Sequence, residues 1–162
     1  MADRAAGGVP LVELRPVLAA DLPVLFEFQF DPIANRMAAF PARAYDEFMV
    51  HWTKLIVDPA VLLRAIVVDA KVVGNVTAWN EKDLRLIGYW IGRQYWGMGY
   101  ASAALALFLE METRRPLHAY VAKHNAGSIR VLQKCGFVVC GESKGPGETP
   151  GVEVEDFIME LT

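Results

Sequence analysis

The stretch IGYWIGRQYWGMGYASAALALFLEMET, Ile87 to Thr113, constrains this chain more than any other. It opens as an apolar run that suits a strand buried on both faces, and such strands sit inside a sheet. It breaks on Gly92, Gly97 and Gly99, then resumes at helical spacing with Ala101, Leu105, Phe108 and Leu109 on one face. The next strand-like segment, LHAYVA from Leu117, completes a β-α-β crossover, whose strands are expected to run parallel. A simple strand-to-helix turn needs one glycine. Two in alternation, in WGMGYAS from Trp96 to Ser102, put bare backbone beside the unpaired N–H groups and positive end of a helix, as a phosphate site requires.

Around this unit the sequence reads as a mixed α/β, or α+β, sheet of about seven strands. LVELRPV, Leu11 to Val17, is a first strand, and Asp21 with Pro23 reads as the capped start of a helix. Residues 31–59 form an interrupted helical region in which Phe48, Trp52, Leu55 and Ile56 recur at helical spacing. RAIVVDAKVVGNVTAWN reads as two strands around a tight turn at Asp69-Ala70-Lys71. NAGSIRVLQKCG is a short helix with Asn125 as N-cap and Gly136 as its left-handed end. FVVCGE and VEVEDFIMEL are closing strands on either side of the loop SKGPGETPG.

At 162 residues the chain is expected to be one domain from residue 11 to residue 162, after a short flexible tail over residues 1–10. A hydrophobic share of 54% with 22% charged residues fits a globular protein able to bury a core without staples. The net charge of −3 argues against a nucleic-acid surface. No apolar run reaches the length of a membrane span, and the N-terminus lacks the apolar core of a signal peptide, so a cytoplasmic protein is expected. Cys135 and Cys140 have no partner at metal or redox spacing, and no two of His51, His118 and His124 have metal spacing, so no metal is expected.

The glycine pattern narrows the phosphate ligand. Gly92 and Gly97 have the spacing of a Walker loop, but Met98 and Gly99 follow where Lys and Ser or Thr belong. A dinucleotide fingerprint would need a third glycine where Ser102 stands and an acidic residue where LHAYV stands. Both nucleotide readings therefore fail.

GYWIGRQYWGMGYASAAL resembles the acetyl-CoA motif of the GNAT N-acetyltransferases, whose loop reads Q/R-x-x-G-x-G/A; Trp96, Gly97, Met98, Gly99, Tyr100 and Ala101 stand at those positions. VAKHNAGSIRVLQKCGF is similar to the N-x-x-S…K-x-G-F segment of the same superfamily, and Leu11 to Leu161 can be laid on its fold. The pair of motifs is most similar to the branch that acetylates the N-termini of ribosomal proteins. Trp96 departs from the Gln or Arg of the pattern and leaves the pyrophosphate to backbone N–H groups.

The resemblance implies acetyl-CoA as cosubstrate, held by Gly97 to Ser102 and by the main chain of Tyr89, Trp90 and Ile91, with Asn125 on the pantetheine amides. Ser128, or else water, is implied as the proton donor to the leaving thiolate, since the tyrosine that another branch places four residues further on is here Leu132. Asn125 and Ser128 read equally as helix-start residues. No general base is evident; Glu81, Asp83 and His124 are expected near the mouth. The partner is expected to be an amine acceptor, a peptide N-terminus or small monoamine over a polycation, with its specificity in residues 31–59 and 143–151; a homodimer is also compatible with the resemblance. The other readings are a catalytically silent acyl-CoA-binding module and a polyamine or antibiotic acetyltransferase.

Overall fold

The computed structural model describes residues 4–5, 9–147 and 149–162. Seven strands form one sheet: β1 Glu13–Pro16, β2 Leu62–Val68, β3 Lys71–Glu81, β4 Leu84–Ile91, β5 Leu117–Ala122, β6 Val138–Pro146 and β7 Glu153–Leu161. Five helices flank it: α1 Leu22–Gln29, α2 Pro32–Ala38, α3 Tyr45–Val57, α4 Tyr100–Met111 and α5 Ala126–Lys134. The sheet order is β1-β2-β3-β4-β5-β7-β6. Arg4–Ala5 and Val9–Pro10 pair separately as a two-residue antiparallel ladder, and the rest of the expected tail lies outside the described residues.

Local chemistry accounts for most elements. Asp69 and Ala70 both take positive φ, 56° and 61°, and turn β2 into β3 in two residues, the geometry whose twist matches a hairpin. The helical region after residue 31 splits in two. Asp31 caps α2 by accepting the Ile33 N–H at 3.0 Å, and α3 buries Phe48 and Trp52. The expectation for Asp21 needs correction. It stands at the N-cap of α1, but its carboxylate bonds Arg15 at 2.7 and 2.9 Å and the Leu18 N–H at 2.8 Å, closing the turn that leads from β1 into the helix. The closing loop is also shorter than expected, because Ser143 to Pro146 continue β6 as its edge-strand pairing with β7.

Two apolar clusters cover the two faces of the sheet. Leu105 and Phe108 of α4 and Leu132 of α5 pack with Ile87, Ile91, Ala119 and Val121 on one face. Leu22, Leu25 and Phe28 of α1 and Phe48 and Trp52 of α3 pack with Leu63, Ala65 and Val67 on the other. The feature that positions the site lies between β4 and β5. These are the sheet's parallel neighbours, and they meet at a single register pair, Leu86 with His118, after which they diverge. The C-terminal half of β4 is therefore laddered to β3 on one side and open on the other.

Candidate active site

The opening between β4 and β5 is the mouth of a cleft of about 480 Å³, roofed by α2 and bounded by the starts of α4 and α5. It gathers residues that stand far apart in the sequence: Tyr89, Trp90 and Ile91 from β4, Gly97, Gly99, Tyr100, Ala101 and Ser102 from the loop and first turn of α4, and Asn125 and Ser128 from α5. Among the expected site residues Met98 is the exception; it does not line the cleft and is half exposed.

The glycines serve conformation here. Gly97 and Gly99 have φ of 76° and 80°, a region that L side chains rarely adopt, and Gly99 forms the left-handed N-cap of α4. Its carbonyl takes the N–H of Ala103 at 3.2 Å. The N–H groups of Tyr100, Ala101 and Ser102 precede the first intrahelical bond, so three donors and the positive end of a twelve-residue helix face the cleft.

Strand β4 contributes a second row of backbone groups. The Gly92 N–H bonds the Val73 carbonyl at 2.9 Å, which fixes the alternation: Trp90 turns its main chain to β3, and Tyr89 and Ile91 turn theirs to the open side. The close approach of β3 leaves no room for a side chain at Gly74, where a Cβ would meet the Trp90 carbonyl. The departure at Trp96 has a structural consequence. Its indole N–H donates to the Ile91 carbonyl at 2.9 Å, so the side chain ties the glycine loop to the end of β4.

On α5, Asn125 Oδ1 accepts the Ser128 N–H at 3.2 Å, the N-cap expected from sequence. Ser128 Oγ lies 2.7 Å and the Ser128 carbonyl 3.1 Å from the phenol oxygen of Tyr89, so the two acceptors compete for its single proton. Burial pushes the Tyr89 phenol up to about 12, with the Ser128 hydrogen bond opposing the shift. The sequence reading used only the main chain of Tyr89; nothing in the spacing reveals a side-chain partner 39 residues away. It also missed Arg130 and Lys134, four apart on α5, which bring two cations to the cleft within reach of the α4 start.

The base candidates separate. Glu81 pairs with Leu84 at the beginning of β4, and Asp83 sits in the turn before it. Both are a strand's length, roughly 20 Å, from the cleft at the other end of β4. His124 does line the cleft, and its Nε2–H donates to the Arg36 carbonyl at 3.0 Å, leaving Nδ1 as the lone-pair nitrogen of the neutral ring. No carboxylate stands among the described lining residues; the ionisable groups there are His124, Arg130, Lys134 and the tyrosines. On the α2 side the walls are Ala34, Met37 and Ala38 with Trp90, whose indole N–H bonds the Phe28 carbonyl at 2.9 Å. The described residues of 143–151 are not among those lining the cleft.

Elsewhere, His118, Cys140 and Glu160 bring possible metal-ligand atoms within 4.8 Å of one another. His118 Nε2 is 2.9 Å from Glu160, and Nδ1 is buried without a partner. A metal on Nε2 would force a proton onto that partnerless nitrogen, so the geometry is that of a His–Glu hydrogen bond.

Comparisons with known proteins find the same overall fold. Mycobacterium smegmatis RimJ in complex with CoA-disulfide superposes with a TM-score of 0.75 at 24% identity, over 93% of this chain and 81% of that one. Spermidine N-acetyltransferase from Vibrio cholerae, in complex with CoA and spermine, gives 0.77 at 19% identity, over 93% and 94%. A ribosomal-protein-alanine N-acetyltransferase from Brucella melitensis gives 0.78 at 21% identity, over 92% and 98%. No curated protein matches the chain by sequence. The profile of the acetyltransferase (GNAT) domain matches residues 12–138, most of the chain, and the chain therefore belongs to the GNAT acetyltransferase family.

Proposed function

We propose that this N-acetyltransferase binds acetyl-CoA across the β4–β5 opening and passes the acetyl group to a peptide α-amine or a small monoamine. The observation that carries the reading is the convergence, in one cleft, of the unpaired α4 amides, the open edge of β4 and the α5 pair Asn125 and Ser128. The N–H groups of Tyr100 to Ser102 would take the pyrophosphate, with Arg130 and Lys134 supplying the cations that the loop itself lacks. The open main-chain groups of Tyr89 and the N–H of Ile91, whose carbonyl is already taken by the Trp96 indole, would hold the pantetheine arm as a strand neighbour, and the amide nitrogen of Asn125 would reach it while Oδ1 stays in the cap. A β4 N–H would polarise the acetyl oxygen, and Ser128 would donate to the departing sulfur.

The lining supports this choice of acceptor class. A polyamine or aminoglycoside carries several positive charges and is held by carboxylates, and the described lining offers cations and apolar walls. A peptide N-terminus asks for apolar walls and a free strand edge. Structural relatives include enzymes named for each substrate type. Thiol release from acetyl-CoA, measured with Ser- and Ala-starting peptides, spermidine and kanamycin, tests the reading. Turnover with the peptides is expected. Efficient use of spermidine or kanamycin alone would overturn the acceptor assignment, and no release with any amine would favour a silent acyl-CoA-binding module.

A further inference from the structure

We propose that Tyr89 is a positioning residue for the proton donor: its phenol hydrogen bonds Ser128 Oγ, so that the serine proton is directed to the leaving sulfur. The inference rests on the reading of Ser128 as that donor. A serine hydroxyl has one proton, and a helix-start serine ordinarily turns it to a nearby backbone carbonyl. Here two competing bonds are open to the Tyr89 phenol, 2.7 Å to Ser128 Oγ and 3.1 Å to the Ser128 carbonyl. When the phenol donates to Oγ, the serine oxygen is already an acceptor and its own proton has to point away from Tyr89, into the cleft that both residues line. Hydrogen-bond chains of this kind also polarise the outer O–H, which makes it the better donor.

The side chain reaches this place because β4 alternates. Tyr89 lies on the α4–α5 face of the sheet and Trp90 on the α1–α3 face, so one residue presents main chain to the opening and phenol to α5. The phenol remains protonated at neutral pH and keeps a hydrogen to offer throughout turnover. The amine nitrogen forms its bond to the acetyl carbon and releases a proton to solvent. The carbon–sulfur bond breaks with its electron pair on sulfur, the Ser128 proton passes to that sulfur, and Ser128 regains a proton from solvent as CoA leaves. Tyr89 neither gains nor loses one.

A double-mutant cycle on the full chain tests this. Ser128→Ala is expected to lower kcat roughly 100-fold, and Tyr89→Phe on the order of 10-fold, each with KM for acetyl-CoA held within about twofold. In the Ser128→Ala background, Tyr89→Phe is expected to change kcat by less than about twofold, since the group it positions is gone. Tyr89→Phe keeps the ring in the core, and CoA affinity by calorimetry confirms that the cleft is intact in each variant. A purely structural tether between β4 and α5 would instead weaken CoA binding and cost the same in both backgrounds. Overturning results are Tyr89→Phe turnover within twofold of the parent, or a loss that persists without Ser128. Full turnover in Ser128→Ala removes the donor reading itself, and the positioning role with it.

Discussion

The residues of the site owe their properties to what surrounds them more than to their type. Tyr89 is the clearest case. An exposed phenol ionises near 10, whereas in the fold burial between β4 and α5 pushes Tyr89 up to about 12. A folded value raised above the unfolded one means that the stability tied to this group is fully present below about pH 10 and is lost as the pH rises through about 12. Between pH 9 and pH 11 the parent should therefore lose about 1 kcal/mol more than Tyr89→Phe, which has no phenol to ionise. Urea midpoints of the two proteins at both pH values give the comparison, and equal losses would show that Tyr89 is not held against ionisation. Gly97 and Gly99 make a related point. Their spacing marks a candidate phosphate loop, but the reason for glycine at each is a φ near 80°, which a sequence does not display. Asn125 and Gly136 were legible because capping is a local transaction: the Asn125 side-chain Oδ1 accepts an N–H three residues on, and Gly136 takes φ 94° at the other end of the same helix.

At the level of elements, local rules also carried the reading of α4, α5 and the β-α-β crossover, since a helix face or a two-residue turn is written in consecutive residues. Sheet order was not legible. Strand β7 inserts between β5 and β6, so the last strand in the chain is not the last in the sheet, and nothing in its composition says so. The same gap explains Glu81 and Asp83. They are close to the site along the chain, but β4 runs its full length between them and the cleft. Arg130 and Lys134 escaped for the opposite reason: they read as the solvated face of α5, and become site residues only because α4 begins alongside. Their placement makes a prediction for α5 as a unit. If the helix supplies charge to the phosphates, Arg130→Ala with Lys134→Ala should weaken CoA binding about 10- to 100-fold, and the salt dependence of binding should flatten. Affinity for pantetheine, which has neither pyrophosphate nor 3′-phosphate, should stay within about twofold. Equal weakening for both ligands in calorimetry would mean that the variant disturbs the helix and not the phosphate contacts.

Considered as a whole molecule, the sheet is two well-laddered parts joined thinly. β3 and β4 are in register from Gly74 with Ile91 to Glu81 with Leu84, and β5 and β7 from Leu117 with Leu161 to Ala122 with Asp156. Between β4 and β5 a single pair, Leu86 with His118, makes the junction. What holds the parts together is apolar: Ile87 and Ile91 of β4 and Ala119 and Val121 of β5 share one buried cluster with α4 and α5. Backbone hydrogen bonds are thus scarce where the cleft opens, and exchange-competent openings should concentrate there. A ligand lying in the opening would touch β4 on one side and α4 and α5 on the other, so its binding energy would couple both parts. At 100 times its dissociation constant CoA should add about 2.7 kcal/mol, which for a chain of this size is roughly 5–10 °C in Tm. The distribution of the effect is the sharper test. Amide exchange followed by mass spectrometry should show β2 and β3 already slow in the free protein, and β4's C-terminal half, β5 and the first turn of α5 slowed by CoA together with the glycine loop. Protection confined to residues 97–102 would mean that the loop binds phosphate by itself and that the opening between β4 and β5 is not the seat of the cofactor arm.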